Sequence, residues 1–342
     1  KSELKLSIGR DSRLSGERLL AAAAKGVLAM GTDLADFGLA STPSMFMSTV
    51  TKGYEYDGAI MLTASHLPWN RNGMKFFTRN GGLEKSDIAA ILASAQADAF
   101  IPAVERGKFT QVDFLSVYAQ GLVERIRSGV NAEDYDHPLK GFRIVVDAGN
   151  GAGGFYVDRV LQPLGADTTG SQFLEPDGHF PNHQPNPEDK EAMDSIAQCV
   201  LDNKADMGII FDTDVDRAGA VAGDGKEINR NRLIALISAV LLEEHPGTTI
   251  VTDSITSSGL AALIRAVRGM APVTSSDGGG ETAAEGICGL GVGTGTASVA
   301  PPSATPSSAI SVRPTAEVRR RDLLILIVRW KMRMSSISHS PD

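Results

Sequence analysis

Short apolar runs alternate with longer stretches of helical periodicity along most of the chain. Leu4-Lys5-Leu6-Ser7-Ile8 predicts an opening strand. An Ala- and Leu-rich stretch over about 16–30 predicts a helix with Ser15 as its N-cap and Gly31 as its stop. A short strand near 33–37 follows, then a helix starting near Pro43, a residue suited to a first helical turn. Gly58-Ala59-Ile60-Met61-Leu62 reads as a buried strand, and Met74-Lys75-Phe76-Phe77 as its returning neighbour. Helices are expected over 86–99 and about 113–127, the latter with Phe114, Val117, Tyr118, Leu122 and Ile126 on one face.

Asp134 to Gly141, with Pro138, reads as a boundary, after which the pattern restarts. Phe142 to Asp147 predicts a strand, 148–154 a glycine-rich turn, and a helix follows to about Leu161. Residues 175–189 hold four prolines and two histidines and read as a loop. A helix over 188–203 leads to a strand over 206–211, and a helix over 229–243 to a strand over 249–253. Alternation of this kind predicts repeated α/β domains with mixed, mainly parallel sheets. The expected divisions are 1–137, 138–227, the start of a third domain over 228–266, and an aberrant or disordered tail over 267–342. That tail is rich in Gly, Ala, Ser, Thr and Pro, without periodicity, and ends in clusters of arginine. It reads as disordered, as a shifted reading frame, or as a basic anchor.

The net charge of -8 argues against a general nucleic-acid binder. Cys199 and Cys288 are too few for a disulfide scaffold and favour a reducing compartment. The longest apolar run, Leu323 to Val328, is too short to span a membrane. The chain begins with Lys1 close to its first strand, with no secretory segment visible, so a cytoplasmic or plastid-stromal rather than secreted protein is expected.

Two stretches carry candidate chemistry. Thr63-Ala64-Ser65-His66-Leu67-Pro68 follows a buried strand, where open α/β sheets place reacting groups. Adjacent residues in an extended loop point apart, so His66 is a weak base for Ser65 and better suited to a substrate hydroxyl or phosphate. An ordinary structural Ser-His pair is the competing reading. Asp212-Thr213-Asp214-Val215-Asp216-Arg217 follows another apolar run and can turn three carboxylates to one side. Three hard oxygen donors suit Mg²⁺, although a solvated acidic turn has the same pattern. Arg10, Arg13, Lys75 and Arg217 lie beside the expected strand ends and are either phosphate ligands or surface charges. The glycine-rich segment 149–154 lacks both the dinucleotide fingerprint and the P-loop Lys-Ser/Thr. His179 and His183 sit in a Pro-rich loop and are not read as a zinc pair.

Together these motifs make residues 1 to about 266 resemble the α-D-phosphohexomutase superfamily of phosphoglucomutases, phosphomannomutases and phosphoglucosamine mutases. The carrying segments are Gly9-Arg10-Asp11-Ser12-Arg13, Thr63-Ala64-Ser65-His66, Asn72-Gly73-Met74-Lys75 and Asp212 to Arg217. The resemblance implies a catalytic phosphoserine at Ser65, with His66, Lys75 and Arg13 as further catalytic residues. It implies Mg²⁺ held by Asp212, Asp214, Asp216 and Ser65, and substrate contacts from Arg10 and Arg217. The implied reaction interconverts hexose 1-phosphates and 6-phosphates through a bisphosphorylated sugar; a monomer is expected, with small sugar phosphates as partners and neither nucleic acid nor membrane. Leu67 and Thr213 depart from the superfamily's usual Asn and Gly, and Leu67 resembles a plant, algal and bacterial subgroup. The sugar-recognition loop and fourth domain are not recognisable, so weak or no mutase activity is expected of the chain as written. A metal-dependent phosphatase and a non-catalytic sugar-phosphate binder are the alternatives.

Overall fold

The computed structural model describes residues 4–98, 100–245 and 250. The residues fall into two units, the first comprising 1–124 with 139–227 and the second 125–138 with 228–342. Both sheets belong to the first unit.

The larger sheet has six strands: β1 (Lys5–Arg10), β2 (Asp33–Leu39), β3 (Gly58–Leu62), β4 (Met74–Thr78), β5 (Gly81–Gly82) and β6 (Phe109–Gln111), in the order β5-β4-β3-β1-β2-β6. β1 pairs in parallel with both β2 and β3, and β2 with β6. β4 returns antiparallel along β3, with Met61 opposite Lys75. That register carries Lys75 back beside the end of β3, where the serine loop begins. Helix α1 (Gly16–Ala29) covers one face through Leu19, Leu20, Ala23 and Val27, packed on Ile8, Leu34, Ile60 and Leu62. Helix α2 (Thr42–Ser48) contacts β1, β3 and β4. A Cβ on Gly9 would lie 2.6 Å from the Met45 sulfur, so only glycine lets α2 approach β1 this closely. Helix α3 (Lys85–Ala97) follows β5, and α4 (Phe114–Val130) runs beyond Glu124 into the second unit.

The second sheet is β7 (Ile144–Asp147), β8 (Met207–Phe211) and β9 (Ala218–Ala222). β7 and β8 are parallel, and β9 is antiparallel to β8. Helix α5 (Lys190–Asp202) packs Ala192, Ile196 and Val200 on Val145, Ile210 and Val221. Asp189 caps it by accepting from the Glu191 and Ala192 amides. In the second unit, α6 (Arg230–Glu244) is capped in the same way by Asn229.

The repeated, mixed α/β architecture expected from the hydrophobic pattern is the one observed. Three local expectations change. The Ser15 side chain makes no cap bond, because its backbone is already helical; its hydroxyl instead accepts from the Asn72 side chain at 2.9 Å. The helix expected after residue 154 is a π turn over Val157–Leu161 followed by a 3₁₀ turn over Gln162–Leu164. Pro163 lacks the amide that a continuing α-helix would need. β5, β6 and β9 carry too little contrast to show in the sequence: a Gly pair, an exposed Phe-Thr-Gln triplet and an Ala-Gly-Ala-Val-Ala run. The strand expected over 249–253 and the tail expected over 267–342 lie outside the described residues, Ile250 excepted.

A buried ion pair ties the second sheet to the Pro-rich loop. His183 Nε2 lies 3.0 and 3.1 Å from the two Asp147 oxygens, and its Nδ1 lies 3.0 Å from the Gln184 carbonyl. All these partners are acceptors, so both ring nitrogens donate and the ring is an imidazolium. Burial pulls the His183 pKa down, but the Asp147 hydrogen bond and charge outweigh it, and the net shift is upward from 6.5. Below about 6.5 the ring is protonated in the folded and unfolded chain alike, and the pair contributes in full. As pH rises through the folded pKa that contribution is lost. Unfolding free energy measured in urea across about pH 6 to 9 is therefore expected to fall with rising pH, and His183→Gln to remove that component. An identical slope in the variant would contradict the assignment.

Candidate active site

The C-terminal ends of β1, β3 and β8 converge, and the loops beyond them build the site. The loop after β3 places Ser65 at φ +52°, a left-handed conformation costly for a residue with a side chain. What holds it there is a set of buried polar contacts. The Ser65 amide donates to Thr63 Oγ1 at 2.9 Å, and that hydroxyl donates to Asp11 Oδ2 at 2.7 Å. Beneath the loop lies Arg13, 2% exposed. Its Nε donates to Asp11, its Nη1 to the carbonyls of Pro68 and Arg71, and its Nη2 to those of Ser65 and Leu67. Every N–H of the guanidinium is thus engaged, four of the five to loop carbonyls. Burial pushes the Asp11 carboxyl up to about 6 against the bonds from Arg13 and Thr63, and pulls the Arg13 guanidinium down.

The loop after β8 faces the serine. Ser65 Oγ donates to Asp212 Oδ2 at 3.0 Å and accepts from Arg217 Nη2 at 2.5 Å, joining residues 147 and 152 positions apart. Arg217 also donates to His66 Nδ1, which leaves the proton of a neutral ring on Nε2. Asp212 is fully buried and accepts from the Asp216 and Arg217 amides and from the Arg217 side chain. The turn between them forces Val215 to φ +63°, a strained position for a β-branched residue. Close approach of the glycine-rich turn supports this loop: a Cβ on Gly151 would lie 2.7 Å from the Thr213 carbonyl oxygen.

One ligand oxygen from each of Asp212, Asp214 and Asp216 lies within 4.8 Å of the others. Burial and then the two neighbouring carboxylates push the Asp212 pKa well up, with Arg217 opposing. Burial acts in the same sense on Asp214, but the charge and hydrogen bond of Lys75 and the hydrogen bonds of Thr42 and Asp212 together outweigh it and hold that carboxyl low. Lys75 Nζ lies 2.8 Å from both Asp214 Oδ2 and Asp216 Oδ2. Burial disfavours this ammonium, the two carboxylates outweigh it, and the net shift is upward, so Lys75 is held protonated. Asp214 Oδ1 is buried without a hydrogen-bond partner among the described residues. An orphaned carboxylate oxygen, an all-oxygen donor set and crowded negative charge together fit a small divalent cation such as Mg²⁺.

The candidate residues Ser65, His66, Lys75, Asp212, Asp214, Asp216 and Arg217 are therefore brought together. Arg13 sits under the loop as its brace. Arg10 turns back to Glu17 at 3.0 Å. Sequence reasoning missed Thr42, whose amide donates to the Asp214 carbonyl and whose hydroxyl donates to its carboxylate. It also missed Gln184, which donates to the His66 and Leu67 carbonyls. The sequence marks the segment around Gln184 only as a Pro-rich loop, and nothing in its spacing points to the serine.

Two α/β sheets thus present a buried acidic triplet to a serine hydroxyl. Residues 1–101 match the family described as phosphoglucomutase/phosphomannomutase, alpha/beta/alpha domain I, and residues 117–225 match its domain II. Among similar proteins, a phosphomannomutase of Escherichia coli is 35% identical over 258 residues, covering 73% of this chain and 54% of that protein. A phosphoglucomutase of Neisseria gonorrhoeae is 30% identical over 262 residues, covering 76% and 54%. The crystal structure of a phosphoglucomutase/phosphomannomutase family protein from Burkholderia thailandensis superposes with a TM-score of 0.67 at 30% identity, covering 77% of this chain and 56% of that one. The chain belongs to the α-D-phosphohexomutase superfamily, and it spans about half the length of the curated relatives it matches. These relatives are bacterial and lend the narrower plant or algal grouping no support. Among the described residues, no helix is long and apolar enough to cross a membrane.

The site's charge balance sets opposite expectations for two variants. Asp214→Asn removes a ligand and is expected to weaken Mg²⁺ binding by about tenfold or more, or about 1.4 kcal/mol. Lys75→Met removes the ammonium that occupies two of the carboxylates and is expected to strengthen it. Isothermal titration with Mg²⁺ reads both; equal affinities in wild type and variants would contradict the proposed ligand set.

Proposed function

We propose that the chain carries the phosphoryl-transferring half of a mutase that interconverts hexose 1-phosphates and hexose 6-phosphates. The observation that carries this reading is the 3.0 Å contact of Ser65 Oγ with Asp212 inside a buried acidic cluster. A hydroxyl held there is unsuited to general solvent chemistry and well suited to bear a phosphate whose charge a cation balances.

In the first transfer, a sugar hydroxyl attacks the phosphorus of phosphorylated Ser65. The new P–O bond forms to the sugar, the P–Oγ bond breaks, and the proton given up by the sugar hydroxyl balances the one that restores the Ser65 hydroxyl. The product is a hexose bisphosphate. In the second transfer its other phosphate returns to Ser65 Oγ, leaving the isomeric monophosphate. Mg²⁺ held by Asp212, Asp214, Asp216 and the seryl phosphate would neutralise charge on the transferring group. Arg217, already on Ser65 Oγ, is placed to steady the charge that develops on that oxygen as the bond breaks. Lys75 is held as an ammonium while the carboxylates retain it, so in that state it can donate a proton or a positive charge but cannot accept a proton. His66 is tied to the same centre through its Nδ1, which Arg217 engages. Arg13 acts through the loop, as a positioning residue.

The test is loading of Ser65. The chain incubated with a hexose 1,6-bisphosphate and Mg²⁺ is expected to gain one phosphate by intact mass, and Ser65→Ala to gain none. A hexose monophosphate should appear in equal amount. Phosphate released to water without loading would favour a phosphatase, and binding without loading a non-catalytic sugar-phosphate binder.

A further inference from the structure

The Pro-rich loop over 175–189 lies directly against the serine loop and the segment beneath it. At its start, a Cβ on Gly178 would fall 2.5 Å from the Ser12 carbonyl oxygen and 2.7 Å from the Leu14 nitrogen, so the two backbones touch. Phe180, 8% exposed, places its ring centroid 5.2 Å from the Arg13 guanidinium carbon, a cation–π cap on the brace described above. Gln184 Nε2 donates to the His66 carbonyl and, at 3.2 Å, to that of Leu67. The neighbouring His183–Asp147 pair anchors the Gln184 backbone, since His183 Nδ1 donates to the Gln184 carbonyl at 3.0 Å.

We propose that Gln184 is a positioning residue for the serine loop: its carboxamide grips the His66 and Leu67 peptides from the second sheet's side and keeps Ser65 aimed at Asp212. This deepens the reading of Ser65 as the phosphoryl carrier, and rests on it for its kinetic consequence. The physical reason is the left-handed backbone of Ser65. A strained conformation persists only where its surroundings over-determine it. Arg13 fixes the loop carbonyls from the β1 side, and one of them, that of Leu67, is shared with Gln184. Gln184 adds a second donor to that loop, fixed to a different sheet through a buried ion pair. The loop is thereby registered to the second sheet, whose β8 leads into the acidic triplet, as well as to its own strand. Misplacing a reacting group by about 1 Å costs about a hundredfold in rate, so the coupling has a kinetic consequence.

Two variants test this in the full chain. Gln184→Glu keeps the shape but sets a carboxylate against two carbonyls, and Gln184→Met keeps the bulk and loses the donors. Thermal melting first establishes that each is folded. Two readouts follow. Hydrogen exchange is expected to quicken at least about tenfold in the peptide spanning 63–73 and to stay unchanged in β7. Loading of Ser65 from a hexose bisphosphate is expected to slow at least about tenfold, with the half-saturating donor concentration within about twofold of wild type. Wild-type exchange in 63–73, or quickening spread evenly through both sheets, would overturn the proposal, as would loading at the wild-type rate. If wild-type chain is not loaded at all, the function proposed above fails, and the exchange readout still decides the role of Gln184.

Discussion

Three carboxylates, two of them buried and the third partly so, crowd one space, and the rest of the site is arranged around the repulsion among them. Asp212 and Asp214 are fully buried, and one ligand oxygen of each of the three lies within 4.8 Å of the others. Charges so placed persist only with compensating cations and donors. Lys75 and Arg217 supply the cations, and backbone amides, Thr42 and Ser65 supply donors. Even so, burial and its neighbours push Asp212 upward, and Asp214 Oδ1 stays unpartnered among the described residues. The cluster's all-oxygen donors and crowded negative charge suit a small divalent cation.

Topology delivers its parts. Antiparallel return of β4 along β3 brings Lys75 back beside the serine loop from only ten residues downstream. A separate sheet brings the aspartates, and the glycine-rich turn packs closely against their loop at Thr213. Two positions of left-handed backbone, Ser65 and Val215, lie where the loops meet. Ser65 is held there by Arg13, Asp212 and Arg217, from beyond its own strand. This is the pattern of a site whose geometry is imposed by the packed layers around it.

Much of this was legible in the chain. The strands ending at Leu62 and Phe211 stand out as apolar runs, and the acidic and serine motifs follow each of them. The period-two acidic pattern correctly implied convergence of Asp212, Asp214 and Asp216, because a turn can direct alternate side chains together. What could not be read were contacts set by tertiary placement. Arg10 and Arg13 look equivalent in sequence, yet one pairs with Glu17 at the surface and the other is buried under the loop. Ser15 has the chemistry of a helix cap and is used elsewhere, because its backbone is already helical. Thr42 and Gln184 lie 172 and 118 positions from their partners, with no local pattern to mark them. β9 escaped notice because its alternation of Ala and Gly carries almost no hydrophobic contrast.

The central claim is that a phosphate on Ser65 and a cation among the aspartates occupy one electrostatic unit. Its most direct measurement is the Mg²⁺ affinity of chain bearing phosphoserine at position 65 by direct incorporation, against unmodified chain, by calorimetric titration. The seryl phosphate adds charge and an oxygen ligand, so the phosphorylated form is expected to bind Mg²⁺ at least about tenfold more tightly. Equal affinity in the two forms would contradict the account.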